Sequence, residues 1–264
     1  RITRKLNNSL MSQIITLEQG SRRVDFKTRI DWQEQHKLLK VEFPVKVHAD
    51  EALHEIQFGY VKRPTHKSRR YDADRYEVPQ HRYTALAEAG RGVAVLNDSK
   101  YGVSVEENSI NLTLLKAPVI PDMYADKGMQ EFTYSFYAYN GCFADSGVVQ
   151  NGYELNIPVQ FSPGYADTAS LFEIHPSHRH GAKNPIDFAY NNIILETVKE
   201  AEDKSGDIVL RLYESQNTES SCILHTACEI MRACETNMLE TEHRDIKLHF
   251  NPFEIKTIRL QIKI

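Results

Sequence analysis

The sequence lacks several features that mark whole classes of protein. It has no run of about 18 apolar residues, the length that a membrane helix needs, and no secretory leader, so we expect neither a membrane partner nor export. A net charge of -4 predicts no nucleic-acid partner, because phosphate binding needs a basic surplus. Four cysteines without CxxC spacing indicate a reducing compartment. We therefore predict a cytoplasmic protein.

Alternation of apolar and polar residues, the pattern of a strand with one buried face, recurs along the first half. It runs over 24–32 and, after the link QEQHK, over 39–47, where Pro44 predicts an edge or bulged strand. Further strands are predicted at 93–96, at 110–114, at 132–136, and from the alternating Tyr153, Leu155 and Ile157. Residues 83–89 tolerate helix, but an isolated helix this short gains little.

Proline and glycine crowd between 162 and 192, which indicates a boundary. The predicted organisation is a large sandwich at 1–162, a linker or insertion at 163–192 and a small β subdomain at 193–264. In the last part, short strands are predicted at 193–198, 208–213, 222–230, 246–250 and 255–264. Short strands at such spacing are typical of an antiparallel sandwich. The chain begins at Arg1 in strand-like sequence, from which we expect a piece of a longer protein.

Four stretches resemble a known family: FGYVKRPTH, VPQHRYTALAEAGRGVAVLNDSKYG, LTLLKAPVIPDMYADKGMQEFTYSFY and SGVVQNGYELNIPV. They are similar to the C-terminal portion of the α-mannosidases of glycoside hydrolase family 38, particularly the cytosolic and bacterial branch. Segments 22–45, 191–215 and 251–260 are similar to the same family's strands, and the resemblance implies a strand at 83–89. The resemblance implies an all-β antiparallel sandwich of the galactose-mutarotase-like supersandwich type, with a smaller C-terminal β-sandwich subdomain.

The resemblance also implies an activity for the longer protein. It would be a retaining hydrolase of terminal α-linked mannose that uses a divalent metal, zinc or cobalt. The family's nucleophile and metal ligands lie in an upstream catalytic domain, and no segment here matches their motifs. We therefore predict no catalytic residue, no metal ligand and no bound cofactor in this chain, which alone would be inactive. Its expected partners are its own N-terminal catalytic domain, mannose-containing oligosaccharides and a second copy in a homo-oligomer.

Sugar contacts are the chemistry that the stretch 58–118 favours. Carbohydrate sites combine ring faces with polar groups that pair the hydroxyls, because an unpaired buried hydroxyl costs about 1–3 kcal/mol. The apolar run 93–96 stops at Asn97 and Asp98, which favour a turn and so place polar groups on a loop. The predicted contacts are His66, Arg82, Asp98, Lys100 and Tyr101. The alternatives that stay open are a turn-capping role for Asp98 and solvated loops for the others.

Two other clusters have ordinary interpretations. His175, His178 and His180 fall within six positions, and imidazole binds zinc, with Asp187 as a further ligand. The spacing matches no standard site, so we favour a solvated loop. Cys222, Cys228 and Cys234 are expected to share one face of a strand region as small buried residues.

Two other function classes stay open. An autonomous carbohydrate-binding module would need an exposed aromatic platform, for which Tyr60, Tyr71, Tyr76 and Tyr83 are the candidates. An aldose-epimerase-like enzyme on the same sandwich would need an imidazole and a carboxylate in one cleft, and His81 with Glu77 or Asp98 would supply them.

Overall fold

Strands with one apolar face dominate both halves of the chain. The computed structural model describes residues 1–160, 171–176 and 191–263. Contacts divide the chain into unit 1 (Arg1–Val159) and unit 2 (Gln160–Ile264). No helix among these described ranges combines the length and the apolar character that crossing a membrane requires.

Unit 1 is built almost entirely of strands. Its elements are β1 (Ile2–Leu6), β2 (Ser9–Leu17), β3 (Arg23–Trp32), β4 (Leu38–Pro44), β5 (Glu51–Ile56), β6 (Gly59–Pro64), α1 (Arg70–Ala73), β7 (Val78–Pro79), β8 (Tyr83–Glu88), β9 (Arg91–Asn97), β10 (Gly102–Glu106), β11 (Ser109–Lys116), β12 (Gly128–Asn140), a 3-10 turn (Phe143–Asp145) and α2 (Val148–Asn156). The strands form an eight-stranded sheet of order β1-β2-β3-β12-β9-β8-β5-β6 and a four-stranded sheet of order β4-β11-β10-β7. Neighbouring strands are antiparallel.

The core of unit 1 lies between its two sheets. Ile30, Leu86 and Val95 from the large sheet pack in one cluster with Val103 and Leu112 from the small sheet. Because each strand alternates its side chains between two faces, these residues form the inner layer. The predicted all-β antiparallel sandwich is therefore confirmed.

Most of the strands predicted in unit 1 are present. Residues 83–88 form strand β8, and β9 ends at Asn97, as expected. Pro44 ends β4, which lies at the edge of its sheet, because a proline cannot donate a ladder hydrogen bond. The extension of this strand to Val47 was wrong, since β4 stops at Pro44.

The strand predicted from Tyr153, Leu155 and Ile157 is wrong, because α2 occupies Val148–Asn156. The buried residues of α2 are Val148, Val149 and Gly152, which share one face at helical spacing. Helical packing against β8 and β9 therefore decided the structure, and the alternation further along was coincidental. Short α1 was not predicted either.

Unit 2 has strands β13 (Phe172–Pro176), β14 (Ile193–Glu200), β15 (Ile208–Glu214), β16 (Ser220–Thr226), β17 (Glu229–Thr236), β18 (His243–Arg244), β19 (His249–Phe250) and β20 (Ile255–Lys263). Its sheets have the orders β13-β16-β19 and β14-β15-β20-β17-β18. Leu210, Leu212 and Ile258 of the five-stranded sheet share a core with Cys222 and Phe250 of the three-stranded sheet. This packing confirms a second, smaller sandwich.

The single strand predicted at 222–230 is wrong. A turn separates β16 from β17, and the two strands belong to different sheets. The turn was not predicted because the residues between Thr226 and Glu229 include neither proline nor glycine, and the sequence on both sides favours strands. The strand predicted at 246–250 is shortened to His249–Phe250. The boundaries 1–162, 163–192 and 193–264 stay predictions.

Candidate functional site

Asn97, the last residue of β9, joins the loops at one end of the large sheet. Its side chain is 1% exposed. Its Nδ2 donates to the His81 carbonyl at 2.8 Å, and its Oδ1 accepts the Lys100 backbone N–H at 2.6 Å. Asn156 of α2 donates to the Asn97 carbonyl at 2.9 Å. This hub places four of the five predicted sugar contacts at the same end of the sheet: Arg82, Asp98, Lys100 and Tyr101.

Arg82, which precedes β8, is bound to a buried carboxylate. Its Nη2 donates to Glu55 Oε1 at 2.7 Å, its Nε donates to Oε2 at 3.0 Å, and its backbone N–H donates to Oε2 at 2.6 Å. Its guanidinium also lies 3.6 Å over the centre of the Tyr153 ring. These contacts commit most of the Arg82 donors within the protein, and they connect β5, β8 and α2.

The electrostatics of this pair follow from its burial. The Glu55 side chain is 2% exposed, so burial raises the pKa of Glu55 while the Arg82 charge counteracts the rise. Burial likewise disfavours the Arg82 charge, but the Glu55 carboxylate and its hydrogen bonds raise the pKa of Arg82 overall. The pair is ionic, and its described contacts are those of a structural element that orients the loop at 80–82.

Asp98 caps the end of β9 with both carboxylate oxygens. Its Oδ2 accepts the Thr133 backbone N–H at 2.8 Å, and its Oδ1 accepts the Ser99 hydroxyl at 2.8 Å. Its own backbone N–H donates to the Thr133 carbonyl at 3.1 Å. The structure therefore supports the turn-capping alternative for Asp98, and its proposed sugar contact stays a prediction.

Lys100 and Tyr101 are the most available of the predicted contacts at the end of β9. The Lys100 ammonium lies 4.4 Å from the centre of the Phe132 ring, and among the described residues it donates no hydrogen bond. Burial lowers the pKa of Lys100, while Asp126 and Asp98 oppose that change. Tyr101 is 58% exposed, and its ring meets the His81 ring edge-on at 6.1 Å.

His66 lies apart from this group, and no described contact joins it to the other four. It is exposed, and its Nδ1 accepts the Ser68 backbone N–H at 3.4 Å. It lines a separate cleft with His54, Arg63 and Arg75, which we call the basic cleft. The sugar contact of His66 stays a prediction, and sequence reasoning did not single out His54, Glu55 or Arg75. The signal available for the first two was a pair of titratable residues inside the otherwise apolar stretch ALHEI of β5.

The group at the end of β9 offers contact chemistry. An exposed ring, an ammonium and an imidazole can cover a sugar face and pair its hydroxyls. Glycoside hydrolysis needs two carboxyl groups positioned about the scissile bond. Glu55 and Asp98 are each engaged in several hydrogen bonds within the protein.

Comparison with known proteins identifies the family. The model of the glycosyl hydrolases family 38 C-terminal domain matches residues 1–124, and that of the family 38 C-terminal beta sandwich domain matches residues 192–258. This chain belongs to glycosyl hydrolase family 38. It is a C-terminal portion, because both matching models describe C-terminal domains.

Relatives of this family 38 chain are much longer. It is 39% identical to Alpha-mannosidase 2C1 of Homo sapiens over 97% of its own length and 25% of the human protein. It is 37% identical to Alpha-mannosidase G of Dictyostelium discoideum, over 96% of this chain and 23% of that protein. The chain thus spans about a quarter of the length of the curated relatives it matches. The crystal structure of an alpha-mannosidase from Enterococcus faecalis, 20% identical, has the same fold, with a TM-score of 0.76 over 96% of this chain and 29% of that one.

The metal that family 38 implies finds no ligand set in the part of the chain that the structure describes. That part contains no group of three or more His, Cys, Asp and Glu side chains arranged to hold an ion. His175 instead pairs with Glu173 at 3.1 Å and stacks edge-on against His225, with the ring centres 4.9 Å apart. His178, His180 and Asp187 lie outside the described residues.

The cysteines of this family 38 chain do not share one strand face, which corrects the prediction. Cys222 is buried on β16, Cys234 is half-buried on β17, and Cys228 lies in the turn between them. The turn that separates the two strands explains the error. Only Cys222 behaves as the small buried residue expected, and burial raises the pKa of its thiol to about 11.

The geometry bears on both alternative functions. Of the four tyrosines considered for a platform, Tyr83 is buried in the core and Tyr60 is partly buried. Tyr76 is 77% exposed, and Tyr71 is 49% exposed with the guanidinium of Arg69 4.6 Å from its ring centre. For an epimerase, Glu77 is engaged with the Thr113 hydroxyl and with the Lys40 ammonium at 3.5 Å. Among described residues, no hydrogen bond or ion pair joins the His81 ring to Glu77 or Asp98.

Proposed function

We propose that this chain is the C-terminal part of an α-mannosidase that removes terminal α-linked mannose from oligosaccharides with retention of configuration. The observation that carries the proposal is the match to proteins named alpha-mannosidase, 32–39% identical over 90–97% of this chain. The catalytic carboxylates and the ligands of the divalent metal, zinc or cobalt, belong to the longer protein outside this chain. The protein acts in the cytoplasm, and homo-oligomerisation is part of the same proposal.

The role of the chain in that enzyme is to shape the substrate cleft. Tyr101 and Lys100 contact sugar directly, with His81 beside them, because these side chains are the most available at the end of β9. Arg82 and Asp98 contribute by holding the loops, in addition to any sugar contact of their own. His66 contacts substrate from the neighbouring basic cleft.

The test uses the full-length protein that carries this chain. Tyr101→Ala and Lys100→Met are assayed for mannose release from α-linked oligosaccharides, with Tyr76→Ala, 77% exposed, as the matched control. Loss of one ring contact worth about 0.5–1.5 kcal/mol should raise KM about two- to tenfold in Tyr101→Ala. Tyr101→Phe should restore most of the affinity, because it keeps the ring.

The proposal fails on either of two results. One is a native polypeptide near the 30.4 kDa mass of this chain in an immunoblot of its source, which would leave no room for a catalytic domain. The other is a full-length protein without α-mannosidase activity. Unchanged kinetics in both loop variants would refute the contact role alone.

A further inference from the structure

The basic cleft combines positive charge with a scarcity of free carboxylates. It lies among β5, β6, α1 and β10, and it has a volume of about 40 Å³. That volume is roughly three times the smallest space that holds one water, so it accommodates a single small group. The ionisable residues that line it are His54, Arg63, His66, Lys67, Asp72 and Arg75.

The anionic partners near the cleft are already occupied. Both oxygens of Asp72 accept hydrogen bonds from Arg69, from Nε at 2.8 Å and from Nη2 at 3.2 Å. Lys67 pairs with Glu106 at 3.0 Å, outside the lining of the cleft. Asp72 is the single carboxylate among the described lining residues, and Arg69 binds both of its oxygens.

Arg63 and Arg75 line the same cleft, and the guanidinium of the exposed Arg75 also lies 5.4 Å from the centre of the Tyr71 ring. Among the described residues neither forms an ion pair, and the only side-chain hydrogen bond of Arg63 goes from Nη1 to the Pro79 carbonyl at 3.2 Å. Burial, followed by the Arg75 charge, lowers the pKa of Arg63, because like charges close together disfavour each other. An anion between them would replace this repulsion with charge-assisted hydrogen bonds.

His54 adds a buried imidazole to the cleft. It is almost wholly buried, and burial, followed by the Arg63 charge, lowers its pKa to about 3, so the ring is neutral. Its Nδ1 lies 3.0 Å from the Thr84 hydroxyl, whereas its Nε2 has no partner among the described residues. When Thr84 donates to Nδ1, the Nε2 carries the proton and is a donor for the cleft.

We propose that the basic cleft binds one oxyanion group, a carboxylate or a phosphate, held by Arg63 and Arg75 with His54 as a neutral third donor. The group comes either from a free anion or from an acidic side chain of the longer protein. This site is separate from the sugar contacts proposed at the end of β9 and does not depend on mannosidase activity.

The experiment titrates the full-length protein with inorganic phosphate in a calorimeter at constant ionic strength and also measures its thermal midpoint. The variants are Arg63→Gln and Arg75→Gln. Lys62→Gln is the control, because it removes the same charge from the same strand, outside the cleft lining, at a side chain 54% exposed. A free-anion site predicts saturable binding in wild type and in the control, weakened about tenfold or more in both arginine variants.

The phosphate titration and the thermal midpoints together distinguish a free anion from an acidic side chain of the longer protein. If an acidic side chain occupies the cleft, phosphate does not bind, and both arginine variants lower the midpoint by about 3 °C or more beyond the control. The proposal is overturned if phosphate binds equally to all the variants. It is also overturned if phosphate does not bind and the arginine variants are as stable as the control or more stable.

Discussion

Replacing Arg82 with methionine tests whether the Glu55 carboxylate depends on its partner. The wild-type contact comprises side-chain and backbone donors at 2.6–3.1 Å around a carboxylate that solvent barely reaches. Removing one member of a buried ion pair costs about 3–5 kcal/mol, because the other charge is left in a poorly solvated site. We expect Arg82→Met to lower the free energy of unfolding by that amount at pH 8.

The loss should depend on pH in a definite direction. The pKa of Glu55 is already raised by burial, and removing Arg82 takes away the charge that opposed the rise. A raised folded-state pKa means that the folded protein binds the proton more tightly than the unfolded chain does. The variant is therefore most stable, compared with wild type, below the ordinary Glu pKa of 4.5. This stability is lost as pH rises through the raised pKa of Glu55. The defect should be smaller at pH 5 than at pH 8.

Trp32 makes the measurement direct. It is the single tryptophan of this chain and lies in the core of unit 1, so in urea unfolding of this chain by itself its fluorescence follows the unit that contains the pair. The double variant Glu55→Gln with Arg82→Met removes both charges and should be more stable than Arg82→Met alone. A loss below about 1 kcal/mol, a loss equal at both pH values, or a double variant no better than the single one would refute the reasoning.

Two further predictions concern packing and reactivity. A Cβ at Gly92 would clash with the ring of the buried Tyr139, so Gly92→Ala should destabilise unit 1 by about 1–3 kcal/mol in urea unfolding. Gly90→Ala is the control and should cost less, because the space around Gly90 is open. Equal effects of the two substitutions would contradict the steric argument. Because burial raises the thiol pKa of Cys222 to about 11, Cys222 should be alkylated far more slowly at pH 8 than the exposed Cys142. Peptide mass spectrometry measures both rates. Equal rates would mean that Cys222 is not buried in solution.

Local periodicity explains which elements could be predicted. Strands β3 and β12 follow from alternation between neighbouring residues, and β9 follows from an apolar run that stops at Asn97, which favours a turn. Helix α2 was missed because its buried face, Val148, Val149 and Gly152, is short and contains a glycine. Burial of that glycine against Arg82, Tyr83 and Leu96 has no local signature.

The candidate site was predicted only in part, for a related reason. Lys100 and Tyr101 follow a strand end, so their availability could be inferred from the sequence. The capping bonds of Asp98 come from Thr133, which is 35 positions away, and Glu55 lies 27 positions from Arg82. Neither partner can be chosen from a local pattern.

The sequence by itself determined the β class, most strand positions and, through long shared motifs, membership of family 38. Only the tertiary structure decided which charges meet. The order β9-β8-β5-β6 places Arg82 against Glu55 and sets His54 and Arg63 in one cleft with Arg75. Pairing between distant strands depends on the packing of the whole sheet. Local sequence patterns therefore predicted which side chains could make contacts, but not which residues they contact.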